Sequence, residues 1–342
     1  MATTFAVPDG RVAMAATTYT GNGSTQVVSN AVNSVGMQPD LVWVKDRNTA
    51  RSHYIANSII GGGNYLSSDN TNAEATTAAG ITSFNATGFT TSTALLLNNT
   101  AETYVGWQWK AGGTAVSNTA GTITSSVSAN TTAGFSVVTY TGTGANATVG
   151  HGLGVAPSMV IIKARTGAVS NWHVYHVSVG NTAATFLNLT DAAFTSSAYW
   201  QNTSPTSTVF SIGTAVGVNA AVNLVAYCWA PVAGYSAFGS YTGNGSADGP
   251  FIYTGFRPRW IMIKCSSAVA NWRILDTSRS TSNVETLELY PSLANAEGTF
   301  TSLDGLSNGF KIRTSDASYN NTSDTYIYAA FAENPLKYAN AR

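Results

Sequence analysis

The sequence predicts an all-β protein made of three tandem antiparallel β-sandwich domains of jelly-roll type. The first observation behind this prediction is a segment that recurs three times, in which Gly-x-x-Pro leads into an apolar run ending in Lys, at residues 36–45, 154–163 and 255–264. A tyrosine-glycine turn precedes each copy, at Tyr19, Tyr140 and Tyr241. These tyrosines are 121 and 101 residues apart, which is too long for a solenoid repeat and matches a whole small domain.

The second observation is that later segments recur in the same order. A Phe preceded by Gly or Val follows each apolar run, at residues 88–89, 209–210 and 309–310. An aromatic closing strand then follows, at residues 104–109, 224–229 and 326–331. The third observation is the absence of helical periodicity, because short β-branched and aromatic runs alternate with clusters of Gly, Asn, Ser and Thr. Seven or more short strands per domain favour a two-layer sandwich.

Individual elements follow from residue type and spacing. Asn-Gly pairs at residues 22–23 and 244–245 have the composition of type I′ hairpin turns. The run 41–44 is apolar at every position, which predicts a strand buried on both faces, with a loop or a second domain across its back. Closing strands alternate more clearly, so that alternate aromatics share one face. Four aromatic residues are therefore expected in the core: Trp43, Trp107, Trp260 and Phe331.

The recurring segments also predict the domain boundaries. A docking extension (1–16) precedes repeat 1 (17–113), a Ser/Thr/Gly-rich linker or exposed hairpin (114–133), repeat 2 (134–233), repeat 3 (234–335) and a polar C-terminal tail (336–342). Because no linker separates repeats 2 and 3, these two domains are expected to abut rigidly.

Composition excludes several classes of protein. Charged residues are only 9% of the chain and its net charge is zero, whereas a typical soluble domain has about 25% charged residues. Nucleic acid is therefore not an expected partner, since binding phosphates needs clustered Lys and Arg. No apolar run approaches the roughly 18 residues of a membrane span, and no signal-peptide pattern is present. Cys228 and Cys265 are expected to be buried free thiols.

The histidines and carboxylates do not form a convincing catalytic pattern. His173 and His176 lie three residues apart in a strand, which places them on opposite faces and prevents them from sharing a metal. His53 aligns with Trp172 and Trp272 of the other copies, which favours a structural role. Five acidic residues of the third copy have no partners in the other two copies: Asp276, Glu285, Glu288, Glu297 and Asp304. A glycosidase pair among them stays open as a lesser alternative, but no catalytic residue, metal or cofactor is expected.

Two further sets of residues have alternative interpretations. Lys45, Lys163 and Lys264 recur in register, and the favoured interpretation is a strand-end charge that reaches solvent, against a repeated contact with an anion or partner. Tyr199 and Trp200 lie in a polar loop without counterparts in the other copies. They are candidate receptor contacts, since aromatic rings flanked by amides suit sugar recognition. The alternative is that these rings fold back onto their own core.

Four segments of the third copy carry a family resemblance, at residues 240–246, 251–264, 308–314 and 325–335, together with residues 107–113 of the first copy and 152–157 of the second. They resemble a repeat domain of uncharacterised, tail-fibre-like virion structural proteins of tailed bacteriophages. The resemblance implies a non-enzymatic virion component, assembled in the host cytoplasm, that contacts other virion proteins, sister copies and, as a further candidate, a host-surface glycan. It offers no catalytic residues.

Within this resemblance, the first hypothesis is a tail fibre or appendage used for assembly and host-surface contact. The second is a capsid head decoration protein, in which three similar domains act as a pseudo-trimer on a local threefold axis. A glycan-cleaving tailspike and a secreted bacterial adhesin are lesser alternatives. The low charge and the polar, uncharged surface suit a particle exposed outside cells.

Overall fold

The computed structural model describes residues 6–167 and 169–332. Within them the protein is built from short β-strands, and every named strand pair is antiparallel. Four one-turn α-helices and one 3-10 helix (Gly10–Val12) are the only helical elements in this part of the chain. The predicted all-β fold class is confirmed.

The strands fall into three sets, which we call modules 1, 2 and 3. Module 1 consists of β1 (Met14–Thr20), β2 (Gln26–Ser29), β3 (Leu41–Asp46), β4 (Tyr54–Asn57), β5 (Asn64–Tyr65), β6 (Ala75–Thr76), β7 (Ile81–Asn85), β8 (Gly88–Thr91), α1 (Leu95–Asn98) and β9 (Thr103–Trp109). Module 2 consists of β10 (Val116–Asn118), β11 (Ser125–Asn130), β12 (Phe135–Thr141), β13 (Ala147–Gly150), β14 (Met159–Ala164), β15 (His173–His176), β16 (Ala183–Phe186), β17 (Phe194–Thr195), α2 (Ser197–Trp200), β18 (Val209–Ile212), α3 (Val216–Asn219) and β19 (Asn223–Trp229). Module 3 consists of β20 (Ser236–Thr242), β21 (Phe251–Tyr253), β22 (Pro258–Cys265), β23 (Arg273–Asp276), β24 (Glu285–Glu288), β25 (Gly298–Leu306), β26 (Gly309–Ile312), α4 (Ala317–Asn320) and β27 (Thr325–Ala332).

Each module repeats one strand order. The larger sheets run β1-β9-β3-β4, β12-β19-β14-β15 and β20-β27-β22-β23, so that the first strand pairs with the last and the Lys-bearing strand is central. Smaller sheets accompany them, in the orders β2-β8-β7, β13-β18 and β21-β26-β25-β24. The recurring segments of the sequence therefore occupy equivalent strands, and the modules have β-sandwich character.

Two local expectations change. Residues 114–133 form the hairpin β10–β11, one of the two predicted alternatives, but this hairpin joins a sheet because β11 pairs with β12. With β16 and β17 at the other edge, the larger sheet of module 2 has eight strands. Residues 14–16 belong to β1, where Met14 is buried and pairs with Trp109, and not to a separate extension. Residues 1–5 of that predicted extension, the last three residues of repeat 3 and the tail 336–342 lie outside the described residues.

The Asn-Gly turns are not type I′ hairpins. They connect strands of different sheets, such as β1 and β2. In each Asn-Gly pair only the glycine, Gly23 or Gly245, has positive φ, at 69°, whereas a type I′ turn needs positive φ at both residues. The Asn22 side chain instead accepts a hydrogen bond from the amide of Ser24 at 2.8 Å. This arrangement is an Asx turn, which the same residue types also favour.

The strand β3 is buried at all six positions because it has a core on each face. Val42 and Val44 pack into the module's own core beside Phe89. Leu41 and Trp43 point the other way, into a second core that includes residues of modules 2 and 3. Residues of the other two modules therefore lie across the back of this strand, where the sequence predicts a loop or a second domain.

This second core, which we call the shared core, contains the aromatic residues predicted to be buried. Trp43, Trp107, Trp260 and Phe331 are all at most 4% exposed. Trp109 lies 6.0 Å from Trp229 and 5.7 Å from Phe331, measured between ring centroids. Because Trp109, Trp229 and Phe331 are the equivalent aromatics of β9, β19 and β27, the three modules surround a common axis.

Candidate functional site

The most repetitive chemistry of the molecule lies at the contacts between modules. Lys163 Nζ donates to the backbone oxygen of Thr71 in module 1 at 2.9 Å. Lys264 Nζ donates to Thr190 O in module 2 at 3.0 Å. Lys45 Nζ donates to Asp46 O at 2.8 Å. Hence each central strand places its ammonium group among carbonyl oxygens, and in two modules one acceptor belongs to the preceding module.

The expectation that these lysines reach solvent is wrong. All three are 0% exposed, because a neighbouring module covers the end of each strand. Burial lowers the pKa of each of them to about 8. The backbone oxygens supply the hydrogen bonds that a buried ammonium requires. The repeated contact is therefore internal, and the lysines do not form an anion site on the surface.

An aromatic N–H makes a second repeated contact. Trp172 Nε1 donates to Ser67 O of module 1, and Trp272 Nε1 donates to Phe186 O of module 2, both at 2.8 Å. Each indole thus satisfies a backbone oxygen in the preceding module. These partners repeat in the same order as those of the lysines.

His53 occupies the equivalent place in module 1. Its Nδ1 accepts from Trp43 Nε1 at 2.8 Å, so that the hydrogen of the neutral ring lies on Nε2. The Nε2 atom lies 3.0 Å from Tyr290 O of module 3 and donates to it. The structural role inferred from its alignment with Trp172 and Trp272 is confirmed. Since this contact joins module 1 to module 3, the modules form a closed ring.

A third set of contacts lies at the ends of β4, β15 and β23 and follows the same cycle. The pairs are Asn57 Nδ2 to Tyr227 Oη (3.1 Å), His176 Nε2 to Tyr328 O (3.1 Å), and Trp107 Nε1 to Asp276 Oδ2 (2.9 Å). His176 donates through Nε2, because its Nδ1 accepts from the amide of Ser178. Each pair joins a different two of the three modules.

A backbone hydrogen bond also crosses each junction. It runs from Glu74 N to Arg165 O, from Ala193 N to Ser266 O and from Glu297 N to Arg47 O, at 2.8, 2.8 and 2.9 Å. At two junctions the same residues add an ion pair, Arg165 with Glu74 and Arg47 with Glu297, each at 2.7 Å. The junction between modules 2 and 3 has Ser266 and Ala193 at these positions.

Four of the five acidic residues singled out in the third copy, Asp276, Glu288, Glu297 and Asp304, pair with arginines. Arg279, whose side chain is 0% exposed, pairs with Asp276 at 2.6 Å and with Glu297 at 2.9 Å. Its guanidinium carbon lies 5.7 Å from the centre of the Trp107 ring in module 1. Arg273 forms an ion pair with Glu288. Of these carboxylates, Asp276 and Glu297 contact module 1, through Trp107 and Arg47.

Sequence reasoning missed three buried asparagines that hold the tyrosine-glycine turns. Asn98, Asn219 and Asn320, each 0% exposed, end the one-turn helices α1, α3 and α4. The side-chain oxygen of each accepts from a turn amide 76 residues earlier. The hydroxyl of each turn tyrosine donates to a helix carbonyl 78 residues later. This constant separation was the available signal.

The predicted receptor contacts do not form an exposed aromatic pair. Trp200 is only 2% exposed, and its ring lies 5.7 Å from that of Tyr175 in the core of module 2. Tyr199 is half-buried and packs against His173 and Phe194. The helix α2 turns both rings inward, so the alternative that they fold back onto their own core is what the structure has.

The remaining candidates for chemistry are dispersed. Among residues 6–167 and 169–332, no group of three or more His, Cys, Asp and Glu side chains has the geometry to hold a metal ion. Cys228 and Cys265 are buried and free, as expected. A search of the same residues for a helix long and apolar enough to cross a membrane finds none.

Comparison with known proteins gives one match. The model of a domain of unknown function (DUF7483) matches residues 12–335 and so spans all three modules. No curated protein and no solved structure matches the chain.

Proposed function

We propose that this chain, which belongs to the DUF7483 family, is a structural protein of a bacteriophage virion. The observation that carries the proposal is the ring: one chain closes three equivalent modules around an axis through repeated contacts. Such a chain presents similar surfaces three times, as a subunit at a threefold position of a symmetric particle requires. The sequence resemblance to virion proteins supports the same role.

The role we propose is non-enzymatic. A catalytic acid, base or nucleophile must reach its substrate, whereas the repeated lysines and His53 are buried at the junctions. Asp276 and Glu297 are held by Arg279. The residues with the most reactive chemistry therefore stabilise the ring, and contacts with other molecules are made by the module surfaces.

The first placement we propose is a tail fibre or appendage, with other virion proteins, sister copies and the host surface as partners. The second placement is a head decoration subunit on a local threefold axis of the capsid. The closed ring favours the second placement specifically, because each module can face one of three equivalent capsid subunits. In both placements few charges are available, so the contacts are mostly polar and respond little to salt.

Electron cryomicroscopy of the virus whose genome encodes the chain tests both placements. The expected result is a three-lobed density of this size at the tail or on the threefold axes of the head. Absence of the protein from purified particles would contradict the virion role. Release of reducing ends from host polysaccharide by the purified protein would contradict the non-enzymatic role.

A further inference from the structure

We propose that module 1 carries a carbohydrate-binding cleft whose counterparts in modules 2 and 3 are filled. The cleft has a volume of about 270 Å³, and its lining includes Arg51, Ser52, Tyr65, Asn70, Asn72 and Ala75. It lies beside the two-stranded sheet β5–β6. The chain thus offers an internal comparison, because modules 2 and 3 have equivalent strands.

In module 2 an aromatic side chain occupies the equivalent space. Tyr65 pairs with Ala75 in β5–β6, and Ala184 pairs with Phe194 in β16–β17. Ala75 and Phe194 each lie four residues after the threonine whose oxygen binds a buried lysine, which confirms the register. The Phe194 ring packs 5.1 Å from Phe186 and 5.5 Å from Tyr199. Alanine at this position in module 1 leaves the space open.

In module 3 a charged and aromatic cluster fills the equivalent space. Glu288 pairs with Gly298 there, in β24–β25. The guanidinium of Arg273 lies 4.6 Å from the centre of the Tyr290 ring and hydrogen-bonds Glu288. Tyr319 also donates to Glu288, at 2.7 Å. The guanidinium, carboxylate and hydroxyl groups at this place therefore bind one another and are not available to a ligand.

The cleft of module 1 has a pre-oriented aromatic ring. Tyr65 stacks on Tyr54 with a centroid separation of 4.4 Å and an angle of 13°. Tyr54 is itself fixed by a hydrogen bond from its hydroxyl to Gly62 O at 2.6 Å. One face of the half-buried Tyr65 ring is therefore covered, and the ring lines the cleft. The electron-rich face of such a ring suits the C–H face of a pyranose.

The polar groups of the cleft favour a neutral ligand. Arg51 donates to Glu102 at 3.0 Å and to Asp46 at 3.2 Å, so two carboxylates fix the guanidinium and more than offset its charge. An anion therefore gains little attraction there. Asn70 and Asn72 add amide groups that can both donate and accept. Hydroxyl groups need this mixture, and the volume suits one or two sugar rings, at the small end of ligand sites.

The junction with module 2 holds one wall of the cleft. Lys163 binds Thr71 O, and Arg165 pairs with Glu74, so the loop that carries Asn70 and Asn72 is attached at two points. A wall that is already ordered before binding reduces the entropic cost of ordering the site when a ligand binds. The junction between modules 1 and 2 thus orders this wall of the cleft.

Saturation-transfer NMR and calorimetry on the purified full chain test the site. The probes are methyl glycosides of glucose, galactose, mannose and N-acetylglucosamine, with sialic acid as a charged probe and sorbitol as an acyclic one. We expect at least one neutral glycoside to bind and the other two probes not to bind. Absence of binding by every neutral glycoside, or binding of sialic acid alone, would overturn the proposal.

Three variants then locate the binding. Ala75→Phe restores the side chain of module 2 and should abolish binding while the fold is kept. Tyr65→Ala should weaken binding at least tenfold. Tyr253→Ala is the matched control, since this tyrosine is 68% exposed on β21, away from the cleft. Undiminished binding by both Ala75→Phe and Tyr65→Ala would refute this location.

The host-contact meaning of the cleft rests on the proposed virion function, but the binding measurement does not. If the protein is found in particles but binds no glycoside, the proposed virion role is supported and the proposed binding cleft is refuted. A chain that binds a glycoside through Tyr65 but is absent from particles would do the reverse.

Discussion

At the scale of single residues, the three buried lysines show which properties can be predicted from the sequence and which cannot. Their register was visible, because Lys45, Lys163 and Lys264 follow the same motif. Their burial was not, since it depends on carbonyl oxygens that another module supplies, as Thr71 does for Lys163. An isolated module would place the same side chain at an open strand end. The position could be predicted, but its environment could not.

Replacing Lys163 with Met should lower the free energy of unfolding by about 2–4 kcal/mol. The change removes the ammonium donor from Ser170 O in a buried place, and it removes one of the two donors of Thr71 O, which keeps the amide of Ser170. Urea denaturation measures the effect. The matched control is Lys311→Met, whose ion pair with the exposed Asp248 lies at the surface, where solvent screens it, and should contribute little to stability. Equal midpoints for the two variants would contradict the role of Lys163.

The buried histidines should make the protein sensitive to mild acid. Burial lowers the pKa of His53 and of His176 to about 4, below the value of about 6.5 in an unfolded chain. The unfolded chain therefore binds more protons, so stability is full above pH 6.5 and falls as the pH drops towards 4. Each pKa unit corresponds to about 1.4 kcal/mol for each group.

The measurement is the melting temperature at pH 7, 6 and 5, compared with that of His53→Trp. This variant carries the residue found at the equivalent positions 172 and 272. Its melting temperature should fall less between pH 7 and pH 5 than that of the native chain. An identical fall would show that folding does not lower the pKa of His53.

At the scale of elements, the alternation and composition of short runs were enough to predict strands. The apolar run 41–44 predicted burial on both faces, and the shared core provides it. The sequence did not reveal how turns are held, because Asn98 and its counterparts act on residues 76 positions away. Nor did it reveal the cleft, which depends on the register of Ala75 against Phe194. Such pairings over long distances in the chain are set by topology.

The asparagine of each helical turn should be essential for its module. Asn219 donates to Ala145 O and Gly213 O and accepts from Thr143 N. We expect Asn219→Ala to lower the free energy of unfolding by about 2–4 kcal/mol, because these buried groups lose their partners. Asn146→Ala, at an exposed position of the same turn, should change it by less than about 0.5 kcal/mol. Similar effects of the two substitutions would count against the role of Asn219.

At the scale of the whole molecule, the three junctions differ in how they are held. Modules 1 and 2, and modules 2 and 3, are consecutive in the chain. Modules 3 and 1 are not, and their junction has the buried Arg279 with Asp276 and Glu297, the ion pair of Glu297 with Arg47, and the contact of His53. The densest polar network thus lies where no connecting peptide helps to hold the ring closed.

Removing Arg279 should open this junction first. The Arg279→Met substitution leaves Asp276 and Glu297 without their buried partner, which costs about 3–5 kcal/mol. Hydrogen exchange should increase most at β4 and β9 of module 1 and at β23 of module 3. The control is Arg313→Met, because Arg313 is 42% exposed and pairs weakly with Asp304, at 3.4 Å. A uniform rise over all three modules would contradict local opening.

The placement of all three modules in one chain also bears on how the protein can evolve. In a homotrimer encoded by a single-module gene, each mutation appears at three sites at once. Here one codon change affects one site, as the Ala, Phe and Gly at positions 75, 194 and 298 illustrate. Two copies can preserve assembly while the third acquires a new specificity. Successive rounds of selection can therefore act on a single lobe of the particle surface.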